Sequence, residues 1–378
     1  VQINGGWDGL NILPEVDHPN YALARPTIGL PKAKVLTLEA GAKHYWHPSM
    51  AAFKTLYDNG DLAIIENIGY PNPNLSHFTS EKKWYAGDAT VRSAATGWLS
   101  HYLTKGYSGS FQIPAIDLEA RLNGAFLGSR VPVFRRIADY QFLFDTNYYA
   151  RLDNSTQLET LLSNGAVTRL GDNNVQFVAD STVDAVNDSA LLQSVGSSYS
   201  PRATYPNGRF AESLQVVSRY ITGGLKSQIY YTNTGGFDHH ANEAVASAPE
   251  TGDFANKIEA VSASIKAFLD DVKAYGKEKK VVVMVFSEFG RRFGENGAVG
   301  TDHGHGGVAF LAGEPVTGGR YGTPPDLDQA TTPYDRYYIP FDTRSTDFRS
   351  MYATVIENWF GVNHSTILNG TYPLLGAL

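Results

Sequence analysis

The sequence has no cysteine, which excludes disulfide bonds, thiolate metal ligands and a cysteine nucleophile. It also has no apolar run that approaches the length of about 18 residues needed by a membrane-spanning helix. Its basic residues do not gather into a run of the kind with which proteins neutralise nucleic-acid phosphates. We therefore expect neither a membrane span nor a nucleic-acid partner.

What the chain does contain is enough apolar sequence for a large core. Of its 378 residues, 42% are hydrophobic and 18% are charged, which is typical of a folded protein and not of a disordered one. The net charge of −7 does not identify a partner. The chain opens on Val1-Gln2-Ile3, which reads as the end of a buried strand. We therefore expect a processed or trimmed precursor whose targeting segment is missing.

The strongest predicted elements alternate between helix and strand. Residues 253–273 repeat apolar side chains at intervals of three and four, which predicts a long amphipathic helix with Asp253 as its N-cap. Residues 281–286 are apolar throughout, as in a central parallel strand covered on both faces. Further strands are predicted at 62–68, 226–232 and 306–312, and further helices at 47–58, 76–85, 209–223 and 347–360.

This alternation predicts an α/β fold with a mostly parallel central sheet and helices on both faces. Such sheets bind ligands outside the carboxyl ends of their strands, and the polar clusters of this sequence follow predicted strands. Residues 105–205 fit the alternation worst, because they hold short segments rich in asparagine and serine. We interpret them as an insertion or cap over the sheet edge.

Two glycine-rich turns each place an acidic residue just beyond a predicted strand: Asp8 and Asp238. Residues two apart in an extended segment point the same way, so Asp238 and His240 share a side and His239 points elsewhere. A carboxylate together with an imidazole suits Zn²⁺ or a similar transition ion. The alternative for both turns is a polar surface turn without a ligand.

Two later segments add acidic, cationic and imidazole side chains. Glu288 ends the clearest predicted strand and is either a metal ligand or a charge at a helix N-terminus. One arginine of the pair Arg291-Arg292, with Arg291 as the candidate, would clamp an anionic substrate, since its fork matches phosphate or sulfate, and a solvated face is the alternative. His303 stands among glycines that leave room for a metal or substrate. The histidine-bearing segments supply three additional candidates: His239, Asp302 and His305.

A fifth segment joins a buried strand to a helix that begins near Ser76. The exposed N–H groups and the dipole of a helix N-terminus favour an oxyanion. A serine hydroxyl there can attack phosphorus or sulfur if a metal lowers its pKa. A plain N-cap serine is the alternative. His77 is interpreted as a contact to substrate or as a support for the site.

In combination these segments resemble a known family. The similarity rests on Asn-Gly-Gly-Trp-Asp-Gly-Leu-Asn at 4–11, Gly-Tyr-Pro at 69–71, Ser-His-Phe at 76–78, Gly-Trp-Leu at 97–99, Gly-Gly-Phe-Asp-His-His at 235–240, Phe-Ser-Glu-Phe-Gly-Arg-Arg at 286–292, Gly-Thr-Asp-His-Gly at 300–304, Asp-Phe-Arg at 347–349 and Tyr-Ala-Thr-Val at 352–355. The sequence is similar to the bacterial domain-of-unknown-function family DUF1501, which is grouped with the alkaline phosphatase and sulfatase-like superfamily. The likeness is weakest over 105–205.

The resemblance implies an alkaline-phosphatase-like core that spans residues 1–378 as a single domain, and export, commonly by the twin-arginine route. It maps a nucleophile to Ser76. It maps metal ligands to Asp8, Asp238, His240, Glu288 and His303. Three departures are visible. Asp238 and His240 are two residues apart where the superfamily's pair is one helical turn apart, and the sulfatase formylglycine consensus is lacking. The superfamily's Asp-His doublet after the later strand is replaced by Ser-Glu-Phe-Gly at 287–290.

These observations predict a metal-dependent hydrolase of phosphate or related esters, sulfate esters included, in the periplasm or outside the cell. One or two divalent ions would be bound, zinc first, with manganese, magnesium or calcium as alternatives. Ser76, His77 and Arg291 would act on an anionic small-molecule or glycan substrate. A non-catalytic exported metal- or glycan-binding protein is the alternative, and a purely structural exported protein is a third. The oligomeric state is left open.

Overall fold

The computed structural model describes residues 1–92, 95–137, 184–185, 187–328 and 341–378. Its strands are β1 (Gln2–Ile3), β2 (Leu36–Thr37), β3 (Tyr45–Trp46), β4 (Leu62–Gly69), β5 (Ala115–Asp117), β6 (Ile229–Tyr231), β7 (Asn233–Thr234), β8 (Val283–Ser287), β9 (Gly290–Glu295), β10 (Thr301–Gly304), β11 (Gly307–Ala312), β12 (Gly319–Tyr321) and β13 (Thr346–Asp347). Within these residues, seven strands form a central sheet in the order β12-β4-β11-β8-β1-β7, with β13 also paired to β4. The pairs β2–β3, β5–β6 and β9–β10 lie outside this sheet.

In the part of the sheet that is described, every strand except β11 runs in one direction. β1 is parallel to β7 and β8, and β4 is parallel to β12 and β13, whereas β11 is antiparallel to both β4 and β8. The prediction of a mostly parallel sheet is therefore confirmed. Because β11 is reversed, its amino end lies at the edge where the other strands end. We call this edge the carboxyl edge.

Helices cover both faces of the sheet. They are α1 (Gly9–Ile12), α2 (Pro19–Ala24), α3 (Ala51–Asp58), α4 (His77–Ala86), α5 (Trp98–His101), α6 (Arg209–Thr222), α7 (Asp253–Ala274) and α8 (Phe348–Thr354). Ile64 and Phe310 pack into one apolar core with α3, α6 and α7. Their strand neighbours Ile65 and Leu311 pack into a second core with α4, α5 and α8, because successive side chains of a strand point to opposite faces.

The predicted helices are present, with differences at their ends. A 3₁₀ turn at Pro48–Met50 precedes α3, and a π-helical turn at Val355–Trp359 continues α8. The N-cap of α7 is Gly252 and not Asp253, which is the first helical residue. Gly252 has a φ of 121°, a backbone conformation that side chains disfavour, so glycine takes the capping position.

Residues 138–183 and 186 of the predicted insertion at about 105–205 lie outside the described residues, and its cap role stays a prediction. Near its two ends the chain is attached to the body of the protein. β5 pairs in parallel with β6. Beyond the gap, Tyr199 and Tyr205 donate hydrogen bonds to the buried carboxylate of Asp271 in α7 over 2.6 and 3.0 Å. None of the described helices combines the length and apolarity needed to cross a membrane.

Candidate metal site at the carboxyl edge of the sheet

The predicted site residues all lie at or near the carboxyl edge, because each follows a strand that ends there or precedes the reversed strand. They are Asp8 after β1, His77 at the start of α4 after β4, Asp238 and His240 after β7, Glu288 after β8, and His303 in β10 before β11. The antiparallel direction of β11 is what brings His303 to the same edge as the others.

Four of these side chains meet at one point. Asp238 Oδ1 lies 2.9 Å from His303 Nε2 and 3.0 Å from His240 Nε2, and Asp238 Oδ2 lies 3.3 Å from His77 Nε2. The Nε2 atoms of His240 and His303 are 2.9 Å apart. Ligand atoms of His77, Asp238 and His303 all fall within 4.8 Å of one another, a grouping that can hold a metal ion. We call Asp238 and these three histidines the histidine cluster.

His77 is held in one tautomer by Glu288. The ring Nδ1 lies 2.7 Å from Glu288 Oε1, and since a carboxylate only accepts, Nδ1 carries the proton. Nε2 is therefore left with its lone pair, and it is buried without a hydrogen-bond partner in the described residues. The hydrogen bond to Glu288 raises the pKa of His77 against the opposing effect of burial. The surroundings of this ring thus favour a positive charge.

The other two histidines are oriented in the same way. His303 Nδ1 lies 2.6 Å from the carbonyl oxygen of Leu75, and His240 Nδ1 lies 3.3 Å from Asp302 Oδ1. Each Nδ1 therefore donates to an oxygen, and each Nε2 is directed toward Asp238 as an acceptor. Burial is the main reason that the pKa of His303 is lowered, which keeps this ring neutral. Asp302 thus supports His240 from outside the cluster.

Arg291 lies buried beneath the cluster, with 1% of its surface exposed. Its guanidinium is 2.7 Å from Asp238 Oδ1. It also donates to four backbone carbonyls, those of Gly5, Gly6, Phe237 and Thr301. Burial alone would raise the pKa of Asp238, but the hydrogen bond and the positive charge of Arg291 hold it well below its usual range. Instead of the predicted clamp on an anionic substrate, Arg291 joins the turns that follow β1 and β7.

Glu288 contacts the cluster through His77. Its Oε1 accepts from His77 Nδ1 and, over 2.9 Å, from the backbone N–H of Gly5. Its Oε2 accepts from Ser287 Oγ over 2.9 Å. The side chain is buried and lies on the Nδ1 side of the ring, away from the converging Nε2 atoms. The structure therefore places Glu288 as a support for a ligand, in contrast to the prediction that it binds metal directly.

Asp8 is engaged in a different contact. Its carboxylate forms a two-pronged pair with the buried guanidinium of Arg25, and it also caps α1 by accepting from Leu10 N. Burial would raise the pKa of Asp8, but Arg25 lowers it, so Asp8 is ionised. Burial and the adjacent Asp8 raise the pKa of Glu243 well above its usual range, so Glu243 is protonated. Asp8, which was predicted to bind metal, is thus already paired with the positive charge of Arg25.

Two of the additional candidates point away from the cluster. His239 Nε2 lies 2.8 Å from Asp253 Oδ2 at the start of α7, as expected from the alternation of an extended segment. His305 is 6% exposed, and burial lowers its pKa to about 4. Neither His239 nor His305 is directed toward the cluster, whereas Asp302 supports the cluster through its contact with His240.

Ser76 lies beside the cluster at the N-cap position of α4, between the carbonyl of Leu75 and the ring of His77. Its hydroxyl makes no capping hydrogen bond, and the residue is exposed. An N-cap serine usually accepts from the first turn of its helix, and here that contact is not made. The predicted place of Ser76 at a helix N-terminus is therefore confirmed, and its catalytic role stays a prediction.

A family profile described as "Protein of unknown function (DUF1501)" matches residues 31–370. The chain belongs to the DUF1501 family. The matched range contains the whole histidine cluster, whereas Asp8 and Arg25 lie before it. A search of curated proteins found no match. The family description names no activity, so the function of this DUF1501 protein is argued from the site.

Two contributors to the site were not predicted. The buried ring of Phe289 lies 4.8 Å from the ring centres of both His77 and His303 and packs against them. Glu81 lies one turn after His77 on α4, and burial and the charge of Glu288 raise its pKa to about 7. Within the predicted helix, Glu81 is four residues after His77, and this spacing is the sequence feature that could have identified Glu81.

The residues of the cluster fit a divalent transition ion. Three imidazoles and one carboxylate are ligands that zinc and its neighbours prefer. Two imidazole lone pairs 2.9 Å apart repel each other unless a proton or a metal ion lies between them. Each ring is also fixed by a hydrogen bond at Nδ1, as in known metal centres. The chemistry of the donor set therefore supports a metal site.

Proposed function

We propose that this protein is a metal-dependent hydrolase of phosphate or related esters that acts outside the cytoplasm. The observation that carries the proposal is the histidine cluster, in which three Nε2 lone pairs and one ionised carboxylate converge. His77, Asp238, His240 and His303 would hold one divalent ion, with zinc as the first choice. A bound ion of this kind polarises an ester and lowers the pKa of water.

The residues around the cluster suit the remaining tasks of ester hydrolysis. The hydroxyl of Ser76 makes no capping hydrogen bond and lies at the N-terminus of α4, where the helix dipole favours negative charge. The ester P–O or S–O bond breaks, water supplies the hydroxyl, and its proton goes to the departing alkoxide. Glu288 keeps His77 in the tautomer that the cluster needs. Phe289 forms an apolar wall that excludes water from behind the rings.

The proposed location and ancestry rest on the resemblance described above. An alkaline-phosphatase-like fold, export by the twin-arginine route, and a place in the periplasm or outside the cell are parts of this proposal. Family membership and the lack of cysteine are consistent with them. An anionic small molecule or glycan is the proposed substrate.

One observation favours a second candidate, a non-catalytic metal- or glycan-binding protein. Four protein ligands complete the tetrahedral shell of zinc, and sites closed in this way are structural, whereas catalytic zinc keeps an open position. The side chain of His240 is 46% exposed, the most of the three rings. Its departure from the ion would open the fourth position. The behaviour of His240 therefore decides between the two candidates.

The test compares two histidine variants. The purified protein is dialysed against zinc or manganese, and bound metal is counted by mass spectrometry. We expect about one ion per chain, lost in His303→Gln and kept in His239→Gln, whose glutamine still donates to Asp253. Turnover of aryl phosphates and aryl sulfates, lost in Ser76→Ala, would support hydrolysis. Metal without turnover would favour the binding protein, and no metal in any form would remove the proposal.

A further inference from the structure

The fixed charges at the histidine cluster restrict which esters it suits. The carboxylate of Asp238 contacts the Nε2 atoms of the cluster, and the carboxylate of Glu288 contacts Nδ1 of His77. The guanidinium of Arg291 contacts Asp238. Glu288 and Arg291 are each 1% exposed, so solvent screens these two charges poorly. Two carboxylates and one guanidinium leave one negative charge. A single divalent ion would convert this into one positive charge.

Other acidic groups nearby do not make this balance more positive. Asp8 is neutralised by Arg25, and Glu243 beside it is protonated. Glu81 has a pKa of about 7, so it adds a negative charge in mildly alkaline solution. Asp302, whose side chain is 31% exposed, contacts the Nδ1 side of His240 and accepts from Asn296, and its charge is also negative.

A second divalent ion would change the balance, but its ligands are already engaged. Asp8 is bound to the buried guanidinium of Arg25. Both carboxylate oxygens of Glu288 accept hydrogen bonds, from His77 and Gly5 on one side and from Ser287 on the other. The site thus offers one ion position with at most one positive charge left for a substrate.

We infer that the site selects esters with a single negative charge, namely phosphate diesters or sulfate monoesters, over phosphate monoesters with two. This inference rests on the proposed function. A site with at most one positive charge cannot compensate the second negative charge of a dianion, which would remain in a partly buried place, whereas a monoanion does not carry that charge. Arg291 does not offset that charge, because its guanidinium is buried and bound to backbone carbonyls. At close range in a protein, one such charge changes affinity by about tenfold or more.

The test measures binding first. The zinc-loaded protein is titrated by calorimetry with dimethyl phosphate, methyl sulfate and methyl phosphate. The solution is mildly alkaline, because the second pKa of a phosphate monoester is about 6 and methyl phosphate then carries two negative charges. We expect both monoanions to bind at least about tenfold more tightly than the dianion. The two monoanions distinguish a diesterase from a sulfatase preference. Turnover of bis(4-nitrophenyl) phosphate, 4-nitrophenyl sulfate and 4-nitrophenyl phosphate, which share a leaving group, gives a second readout.

A charge variant and a matched control complete the test. Glu288→Gln removes one negative charge while its amide oxygen still accepts from His77, so with excess zinc the preference should shift toward methyl phosphate by about tenfold. Asp253→Asn removes the same charge from a residue that is paired with His239 and Lys257, and the preference should stay unchanged. Tighter binding of the dianion to the unaltered protein overturns the inference while the hydrolase stands. If the protein binds no zinc, both the inference and the proposed hydrolase fail, and the metal count reveals this outcome before any ester is added.

Discussion

Two turns with nearly the same local sequence follow neighbouring parallel strands and end in opposite chemistry. Gly5-Gly6-Trp7-Asp8 follows β1, and Gly235-Gly236-Phe237-Asp238 follows β7. The aromatic rings of the two turns touch edge to face, with centroids 6.2 Å apart. Asp8 is paired with the buried guanidinium of Arg25, whereas Asp238 is surrounded by the Nε2 atoms of three imidazoles.

The difference shows that a strand-terminal aspartate is assigned its role by the side chains that reach it from elsewhere in the chain. The buried carboxylate of Asp8 needs a counter-charge, and the carboxylate of Asp238, whose side chain is 44% exposed, needs one in part. At Asp8 the protein supplies that charge itself, through Arg25. At Asp238 it supplies part of the charge through Arg291 and leaves the remaining side to groups that bind cations. The first turn is therefore structural, and the second is suited to a ligand.

The largest expected effect comes from removing the internal cation at Asp8. Arg25→Met leaves Asp8 buried and unpaired, which should cost about 3–5 kcal/mol of unfolding free energy, measured by denaturant titration. The double variant Asp8→Asn with Arg25→Met removes both charges and should recover most of this loss. Bound metal per chain should stay the same in the double variant. A single variant as stable as the unaltered protein would contradict the comparison, as would an additional ion bound at Asp8.

A smaller effect tests how closely the two turns approach each other. A Cβ on Gly5 would lie 2.5 Å from the backbone nitrogen of Asp238, and Gly5 has a φ of 121°. Gly5→Ala should therefore cost about 1–3 kcal/mol and weaken zinc binding, since Asp238 must shift. Gly235→Ala is the matched control, because its Cβ would meet nothing nearer than 3.7 Å. Equal stability losses in the two variants would show that the contact between the turns is unimportant.

The smallest effect concerns pH. Glu243 has a folded-state pKa raised well above its usual value of 4.5, so the folded protein retains a proton that the unfolded chain releases. Stability from this group is intact below pH 4.5 and falls as pH rises, by at most about 1.4 kcal/mol per pH unit. Glu243→Gln lacks this loss and should gain relative stability with rising pH. Thermal unfolding of both proteins across mildly acidic to alkaline pH measures the difference, and parallel curves would contradict the assignment.

Local periodicity was sufficient to predict much of the fold. The apolar repeat of 253–273 and the continuous apolar run of 281–286 correspond to α7 and to most of β8. The direction of a strand leaves no such pattern, so the reversal of β11 was not predicted. It depends on pairing with β4 and β8, which are distant in sequence.

Sequence also predicted part of the histidine cluster. Asp238 and His240 were placed on one side by strand alternation, with His239 on the other, and the structure has them so. His77 was predicted to contact substrate or to support the site, and its place among the candidate ligands was missed. Its contact to Glu288 joins residues 211 positions apart, which local sequence does not reveal. Arg25 gave no signal, since nothing near it in sequence suggests that it reaches Asp8. Long-range pairing decided which acids are supports and which are candidate ligands.

The many bonds of Arg291 have a consequence for how an ion would enter and leave. Its guanidinium fixes the backbone of both aspartate turns whether or not a cation is present. A preorganised set of ligands loses little conformational entropy on binding, so a chelator should strip the ion and leave a folded apoprotein. Reloading would then be governed by how fast the ion sheds its own water, without a folding step.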